Sequence, residues 1–420
     1  MNKFNKFAAA AAAFALAAAS ASCGAPEAIT LGKNAQTALT VDGYEVPAGV
    51  FIYNELYAYN TAAYELYGTL GKMPSVDEVK DHQFESMDAT DWIQDKATEN
   101  CLDFVANERE FEKIGGELSS EELSEIKEFV AANSSQAMFA DNGVGEESLT
   151  KIMSNNYKRE AIFKHYYGLD SEKGCTEDEL KEYYQDKTTR VKYFAVSMTD
   201  DNGEAFDADE KRRLNKMVDG YVKEINDESS NAAKLKKIDE CEKEYTEYVE
   251  KRTAEAAAKA AEEAGETTTT TTTTTAAGTT TTTTTDPYAN EVTVTKRTTT
   301  TVDPNASADV TTTTASEESL AAQKAYNDYN DYIFDKLGLY TAERYDYDEN
   351  TVYVIIKADI KERMTSADLW SESTIESLLS ERYYSEFEDM MKSITKSYVP
   401  EKNSTAYRKF SPFKLDLSSM

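Results

Sequence analysis

Residues 190–198 read RVKYFAVSM, and residues 351–360 read TVYVIIKADI. These are the two strongest β signals in a chain that otherwise reads helical. Val, Ile, Tyr and Phe dominate both, and neither contains Gly or Pro. In the first, Val191, Tyr193 and Ala195 alternate with Lys192, Phe194 and Val196. In the second, Val352, Val354 and Ile356 alternate with Tyr353, Ile355 and Lys357. Nearly continuous apolar character predicts central strands covered on both faces. Roughly 150 residues separate the two, most of them helical or Thr-rich in pattern. The expectation is one small α/β module whose sheet is closed by the second strand after a long excursion.

Working outward, a chain of 420 residues has material for two or three domains. Its 77 acids against 45 bases give a formal charge of −32. So acidic a surface repels nucleic-acid phosphates and anionic lipid heads, which removes nucleic acid as a partner class and leaves solubility as the plain use of the charge. Tyrosine is abundant, at 27 residues. Tyr fills cores and snorkels at their rims, and it also lines peptide-binding surfaces; composition leaves both open.

Residues 1–22 read as a secretion signal. Lys3 and Lys6 charge the start, and residues 7–19 form an Ala-rich apolar run too short to span a bilayer. Residues 20–24, SASCG, resemble a bacterial lipobox in which Cys23 becomes the lipidated first residue, although Ser20 stands where that motif has Leu. The rival pattern is cleavage after Ala21 at an A-x-A-like site, which releases a soluble chain. The expectation carried forward is lipidation at Cys23, with residues 23–38 a tether on an extracytoplasmic membrane face. Cys101, Cys175 and Cys241 remain. Three thiols form at most one bridge, and their spacing resembles neither a CxxC nor a zinc pattern. Cys101 shares a helical face with Ile93, Ala97 and Phe104, a packing position.

Residues 39–47 predict two very short strands about an Asp42-Gly43 turn. Ile52, Leu56, Tyr59, Ala63 and Leu66 then recur at helical spacing as far as Gly71. Capping-box spacings stand at Ser75/Glu78, Ser119/Glu122 and Thr176/Glu179. Further helices are predicted over residues 90–114, 121–132, 146–167, 207–226 and 232–264. The last of these has sparse apolar positions and reads as a solvated arm or one side of a hairpin. Thr tracts at residues 267–275, 279–285, 298–301 and 311–314 predict disorder over 265–315, as an O-glycan carrier or as a spacer. A second arm helix is expected over 317–337, and a closing helix over 366–398 with an apolar side broad enough to pack on another domain.

This order of parts resembles the exported foldases and chaperones of the PrsA and SurA type. TVDGYEVP at residues 40–47, followed by a helix, resembles their opening strand and helix. FEKIGG at 111–116 is similar to the end of their second helix. TEDELKEYY at 176–184 resembles the lead into their parvulin domain, with Val191–Val196 like its first strand and Val352–Lys357 like its last. Parvulins carry a His in each of those strands; here the places hold Tyr193 and Val354, and the Gly-Gly loop before the catalytic face is missing. Prolyl rotation must lower an amide barrier of about 18–20 kcal/mol. With no polar cluster to do so, the resemblance implies a retained fold and a lost isomerase site.

The fold class expected is therefore mainly α with a small α/β module: a SurA/PrsA-like helical chaperone domain plus a degenerate parvulin-like domain with a long helical and Thr-rich insertion. The domains would be residues 39–174, 175–365, and a C-terminal segment 366–420 packing back on the first. The function implied is a membrane-anchored extracytoplasmic chaperone for unfolded or partly folded exported polypeptides, with no catalytic residue, cofactor or metal assigned. The alternatives are an active prolyl isomerase with a divergent site and a cell-surface adhesion lipoprotein. A flat row of Tyr or Trp on a sheet face would favour the last. There is no GxSxG, HExxH or phosphate-binding Gly loop. Residues 200–203 and the Asp346/Asp348/Asn350 alternation fail the calcium-loop pattern and read as solvated turns.

Overall fold

The computed structural model describes residues 36–200, 203–263, 288, 290–297 and 317–418. The secretion signal, Cys23, nearly all of the tether, Asp201 with Asn202, and the Thr tracts lie outside the described residues.

In chain order the elements are β1 (Thr37–Val41), β2 (Tyr44–Pro47), α1 (Ala48–Leu70), α2 (Val76–Lys80), β3 (Gln83–Phe84), β4 (Met87–Asp88), α3 (Ala89–Lys113), α4 (Ser120–Asn133), α5 (Ala137–Ala140) and α6 (Glu146–Tyr167). Then come α7 (Glu177–Lys187), β5 (Thr188–Ser197), α8 (Ala208–Asp227), α9 (Asn231–Glu263), β6 (Val292–Thr295), α10 (Glu317–Asp335), β7 (Ala342–Asp346) and β8 (Thr351–Ala358). The chain ends with α11 (Glu372–Thr395), β9 (Glu401–Lys402) and α12 (Ser404–Lys409). It is mainly helical with a small sheet part. Two compact units result: residues up to Glu177 together with those from Glu376 on, and Asp178–Ile375.

The first unit is closed by its own tail. Asp42 and Gly43 both take positive φ, the two-residue turn that returns β1 onto β2. On its other edge β1 pairs β9, with Leu39 opposite Lys402. Asn403 extends that ladder: its backbone N–H donates to Ala38 O at 2.9 Å and its side chain to Thr37 O at 2.9 Å. The apolar stripe of α1 packs on that of α3, bringing Ile52, Leu56 and Leu66 together with Trp92, Ile93 and Cys101. A Cβ on Gly49 would meet Ser148 Oγ at 2.2 Å, so α1 approaches α6 at a distance only Gly allows. The tail then fills the remaining gaps. Tyr407 stacks on Phe51 at 4.5 Å, its hydroxyl meets Thr98 at 2.8 Å, and its carbonyl accepts from Gln94 at 2.9 Å. Asn142, fully buried, exchanges two hydrogen bonds with the backbone of Asp416. Along α11, Phe387 meets Phe163 edge-on at 5.4 Å, and Glu388 pairs Arg159.

The second unit is built on a four-stranded antiparallel sheet in the order β6-β5-β8-β7. The two stretches with which the sequence reading began are its central pair, matched from Arg190 opposite Ala358 to Ser197 opposite Thr351. One face carries Phe194, Val196, Val352, Val354 and Ile356. It is covered by Leu214, Val218, Tyr221 and Ile225 of α8 and by Leu235, Ile238, Cys241 and Tyr245 of α9. The other face is covered only in part. Val191 and Ile355 pack against Ile333 and Leu337, whereas Tyr193 and Ala195 are exposed.

Several expectations change. Cover on both faces holds for one face and half of the other. The N-terminal half of α9 is not a solvated arm, because Leu235, Ile238, Cys241 and Tyr245 form a narrow stripe that sits on the sheet; α10 likewise places Ile333 on the opposite face. The expectation of disorder over 265–315 fails at β6, whose Val292 and Val294 alternate with Thr and pair β5; the Thr tracts themselves lie outside the described residues. Glu291 anchors its start on the buried Arg190 at 3.0 Å, and Arg190 also pairs Glu362. The closing helix begins at Glu372, because residues 366–370 form turns that bury Trp370.

If the tail closes the first unit, Tyr407→Ala should cost about 3–5 kcal/mol by chemical denaturation. Tyr407→Phe, which keeps the ring and loses one hydrogen bond, should cost about 1 kcal/mol.

Candidate polypeptide-binding surfaces

Two aromatic surfaces stand out, one in each unit. In the first unit, α1 has two faces of different use. Over 23 residues it carries two acids, Glu55 and Glu65, and no base. A helix so poor in charge is ordinarily buried on all sides. Here Tyr57, Tyr64, Tyr67 and Leu70 are 41–49 % exposed. Their spacing of seven, three and three places them along one side, over about 20 Å of helix. Met73 and Val76 continue the exposed apolar surface past Gly71, whose positive φ ends the helix. The inward side carries Glu55, fully buried. One of its oxygens accepts from Gln94 at 3.1 Å and the other has no partner. Burial raises its pKa well above the usual carboxylate value, against the smaller opposing effect of the Gln94 hydrogen bond.

In the second unit, the incompletely covered half of the sheet face is lined by tyrosine. Tyr353 lies at the centre, 5.0 Å from Tyr193 on β5 and 5.0 Å from Tyr347 beyond the end of β7. Tyr329 of α10 reaches in to within 5.3 Å of Tyr353 and 5.2 Å of Tyr345. Interplanar angles run from 36° for Tyr347–Tyr353 to 87° for Tyr329–Tyr347. The rings therefore interlock at steep angles and do not form a coplanar row. The Tyr329 hydroxyl is buried among them without a hydrogen-bond partner. Burial raises its pKa, and the neighbouring phenols Tyr193, Tyr353, Tyr345 and Tyr347 add to the shift. Tyr345 and Tyr353 are shifted upward in the same way, by burial first. Raised in this way, Tyr329, Tyr345 and Tyr353 stay neutral near pH 7.

The places that the parvulin resemblance assigns to histidine do not meet. Tyr193 lies opposite Ile355 and faces α10, whereas Val354 lies opposite Phe194 in the core beneath α8 and α9. Side chains at successive strand positions point to opposite faces, so adjacent numbering separates them by the thickness of the sheet. The chain's two histidines, His82 and His165, both belong to the first unit and lie edge-on to Phe84 and Tyr166. Cys101, Cys175 and Cys241 are buried free thiols. Burial pushes the Cys241 thiol up to about 12 and the Cys101 thiol up as well, which suits packing and not nucleophilic work. Among the described residues no group of His, Cys, Asp and Glu could hold a metal, and no helix is long and apolar enough to cross a membrane. In the β7–β8 turn Asp348 caps the backbone of Asn350. Trp92 and Trp370 are buried against Phe84 and Tyr184.

The tyrosine cluster escaped the strand-by-strand reading because its members come from β5, β7, β8 and α10. The alternation of Tyr345, Tyr347 and Tyr353 was its one sequence signal. The α1 stripe was hidden by its chemistry, since Tyr counts equally as core and as surface. Comparison with protein-family models, with curated proteins and with solved structures gives no match to this chain.

Two substitutions test these assignments. The folded state prefers Glu55 neutral, so its contribution to stability is full below the ordinary carboxylate value of 4.5 and is lost as pH rises toward the raised folded value. Glu55→Gln should therefore unfold at a higher temperature than wild type at pH 8, with the gap closing towards pH 4. The pair Tyr193→His with Val354→His should give no prolyl isomerase, because the two imidazoles would point to opposite faces. Val354→His alone should destabilise by about 2–5 kcal/mol in denaturant titration, through burial of a polar ring in the core.

Proposed function

We propose that the protein is a membrane-anchored extracytoplasmic chaperone of the PrsA and SurA kind, which holds non-native exported polypeptides and does not isomerise prolyl bonds. The observation that carries this reading is the α1 stripe: Tyr57, Tyr64, Tyr67 and Leu70 exposed on a helix whose one exposed charge is Glu65, on a protein of charge −32. An aromatic surface this poor in charge gives a client contact area at little side-chain entropy cost and with little sequence preference. The strong net charge around it keeps the loaded protein soluble. Anchoring rests on the lipobox-like SASCG at residues 20–24.

The sheet unit supports a non-catalytic role. Its partly open face holds phenols and no imidazole, and β5 and β8, the stretches that resemble the first and last parvulin strands, form its central pair. The reading as a surface adhesin gains from finding Tyr on a sheet face. It loses from the ring angles, since sugars stack on exposed coplanar faces.

Light scattering of a denatured client, with and without the full chain, tests the proposal. Wild type should suppress aggregation near stoichiometric ratios, and Tyr64→Glu with Tyr67→Glu should lose most of that effect while remaining folded. No rate above background is expected with a prolyl model peptide. A prolyl isomerase rate abolished by point changes on the sheet face would falsify the non-catalytic reading, and wild type without suppression would remove the chaperone.

A further inference from the structure

The tyrosine-lined half of the sheet face has a chemistry distinct from the α1 stripe. Its floor is Ala195, exposed and directly opposite Tyr353. Beside a residue this small, the rings of Tyr193 and Tyr353, in contact at 5.0 Å and 53°, form one wall of a shallow open recess over Ala195. Tyr193 keeps 39 % of its surface exposed, so its ring can be reached from solvent. The charges beside the recess are acidic. Asp348 and Glu349 are exposed in the turn between β7 and β8, and the Asp348 carboxylate is close enough to contribute, after burial and the neighbouring phenols, to the raised pKa of Tyr353. Asp328 of α10 acts on Tyr345 in the same way.

The bases in the neighbourhood are engaged. Lys324 pairs Asp328 at 2.5 Å, Arg344 pairs Asp346 at 2.7 Å, and Lys357 donates to Ile333 O at 2.7 Å. Electron-rich ring faces with carboxylates at their edge, beside bases that are already paired, attract a cation. A guanidinium fits better than an ammonium, because it stacks flat on a phenol while its fork reaches a carboxylate. The chain uses the same chemistry internally, where Arg190 and Arg363 lie 5.0 and 4.8 Å from the Tyr288 ring.

We propose that the recess formed by Tyr193, Ala195, Tyr353 and Tyr347, with Asp348 at its edge, binds an arginine side chain of an extended polypeptide. The second unit thereby selects basic segments, while α1 takes apolar ones. The assignment stands on the sheet face alone and does not depend on what α1 holds.

Calorimetric titration of the full chain with acetyl-Gly-Ala-Arg-Ala-Arg-Ala-Gly-amide tests it, beside the same peptide carrying Gln or Glu in place of Arg. The arginine peptide should bind, more weakly as salt rises, and the Gln and Glu peptides should bind at least about tenfold more weakly. Tyr193→Leu keeps apolar bulk and loses the ring face; it should weaken arginine-peptide binding by about three- to tenfold with an unchanged melting temperature. Asp348→Asn should flatten the salt dependence. The Tyr64→Glu with Tyr67→Glu variant should bind the arginine peptide as wild type does. Equal affinity for the Arg and Gln peptides, no binding of the Arg peptide, or Tyr193→Leu binding unchanged would each overturn the proposal. So would binding of a soluble oligosaccharide that displaces the arginine peptide.

Discussion

The antiparallel ladder between β5 and β8 is the constraint on which the second unit depends. It joins Thr188–Ser197 to Thr351–Ala358 across roughly 150 intervening residues. Closing so long a loop costs little more than closing a moderate one, since each doubling adds only about 0.6 kcal/mol. Burial of Phe194, Val196, Val354 and Ile356 beneath α8 and α9 outweighs that increment many times over. The excursion can therefore be long without weakening the sheet. It is also not idle, because it supplies α8 and α9 for one face, α10 for the other, and β6 for the edge. The uneven cover that results leaves Tyr193 and Ala195 open to solvent.

A similar logic closes the first unit. Its three-stranded sheet takes β1 and β2 from the start of the described chain and β9 from near the end. Asn142, Gln94 and Thr98 then offer polar groups that the tail meets, through Asp416 and Tyr407, beside the bonds they make to Met138, Glu55 and Gln94. Buried hydrogen bonds of this kind contribute modestly when made and cost more when one side is removed. They fix where the tail lies, while Phe51, Phe387 and Phe410 are fully buried. With its inward side thus committed, α1 is free to carry an outer side of tyrosines.

Much of this was legible in the sequence. Residues 190–198 and 351–360 stood out because β-branched and aromatic residues rarely run together without being central strands. The capping boxes at Ser75 and Ser119 marked helix starts that the structure places at the following residue. The face of a strand was harder to read. A shift of one residue inverts every side chain, so aligning Val354 with a family position could not show that Tyr193 would lie on the other side of the sheet. β6 was missed because a short Val-Thr alternation flanked by Thr tracts resembles its surroundings. The tyrosine cluster was missed because four elements assemble it.

Photocrosslinking tests most directly the claim that α1 holds non-native chains. A photoreactive residue at Tyr64 or Tyr67 should capture an unfolded client and ignore the same client once folded. The same probe at Leu123, an exposed apolar position on α4, should capture little. Capture at Leu123 equal to that at Tyr64 and Tyr67, or no capture from α1 at all, would contradict the account.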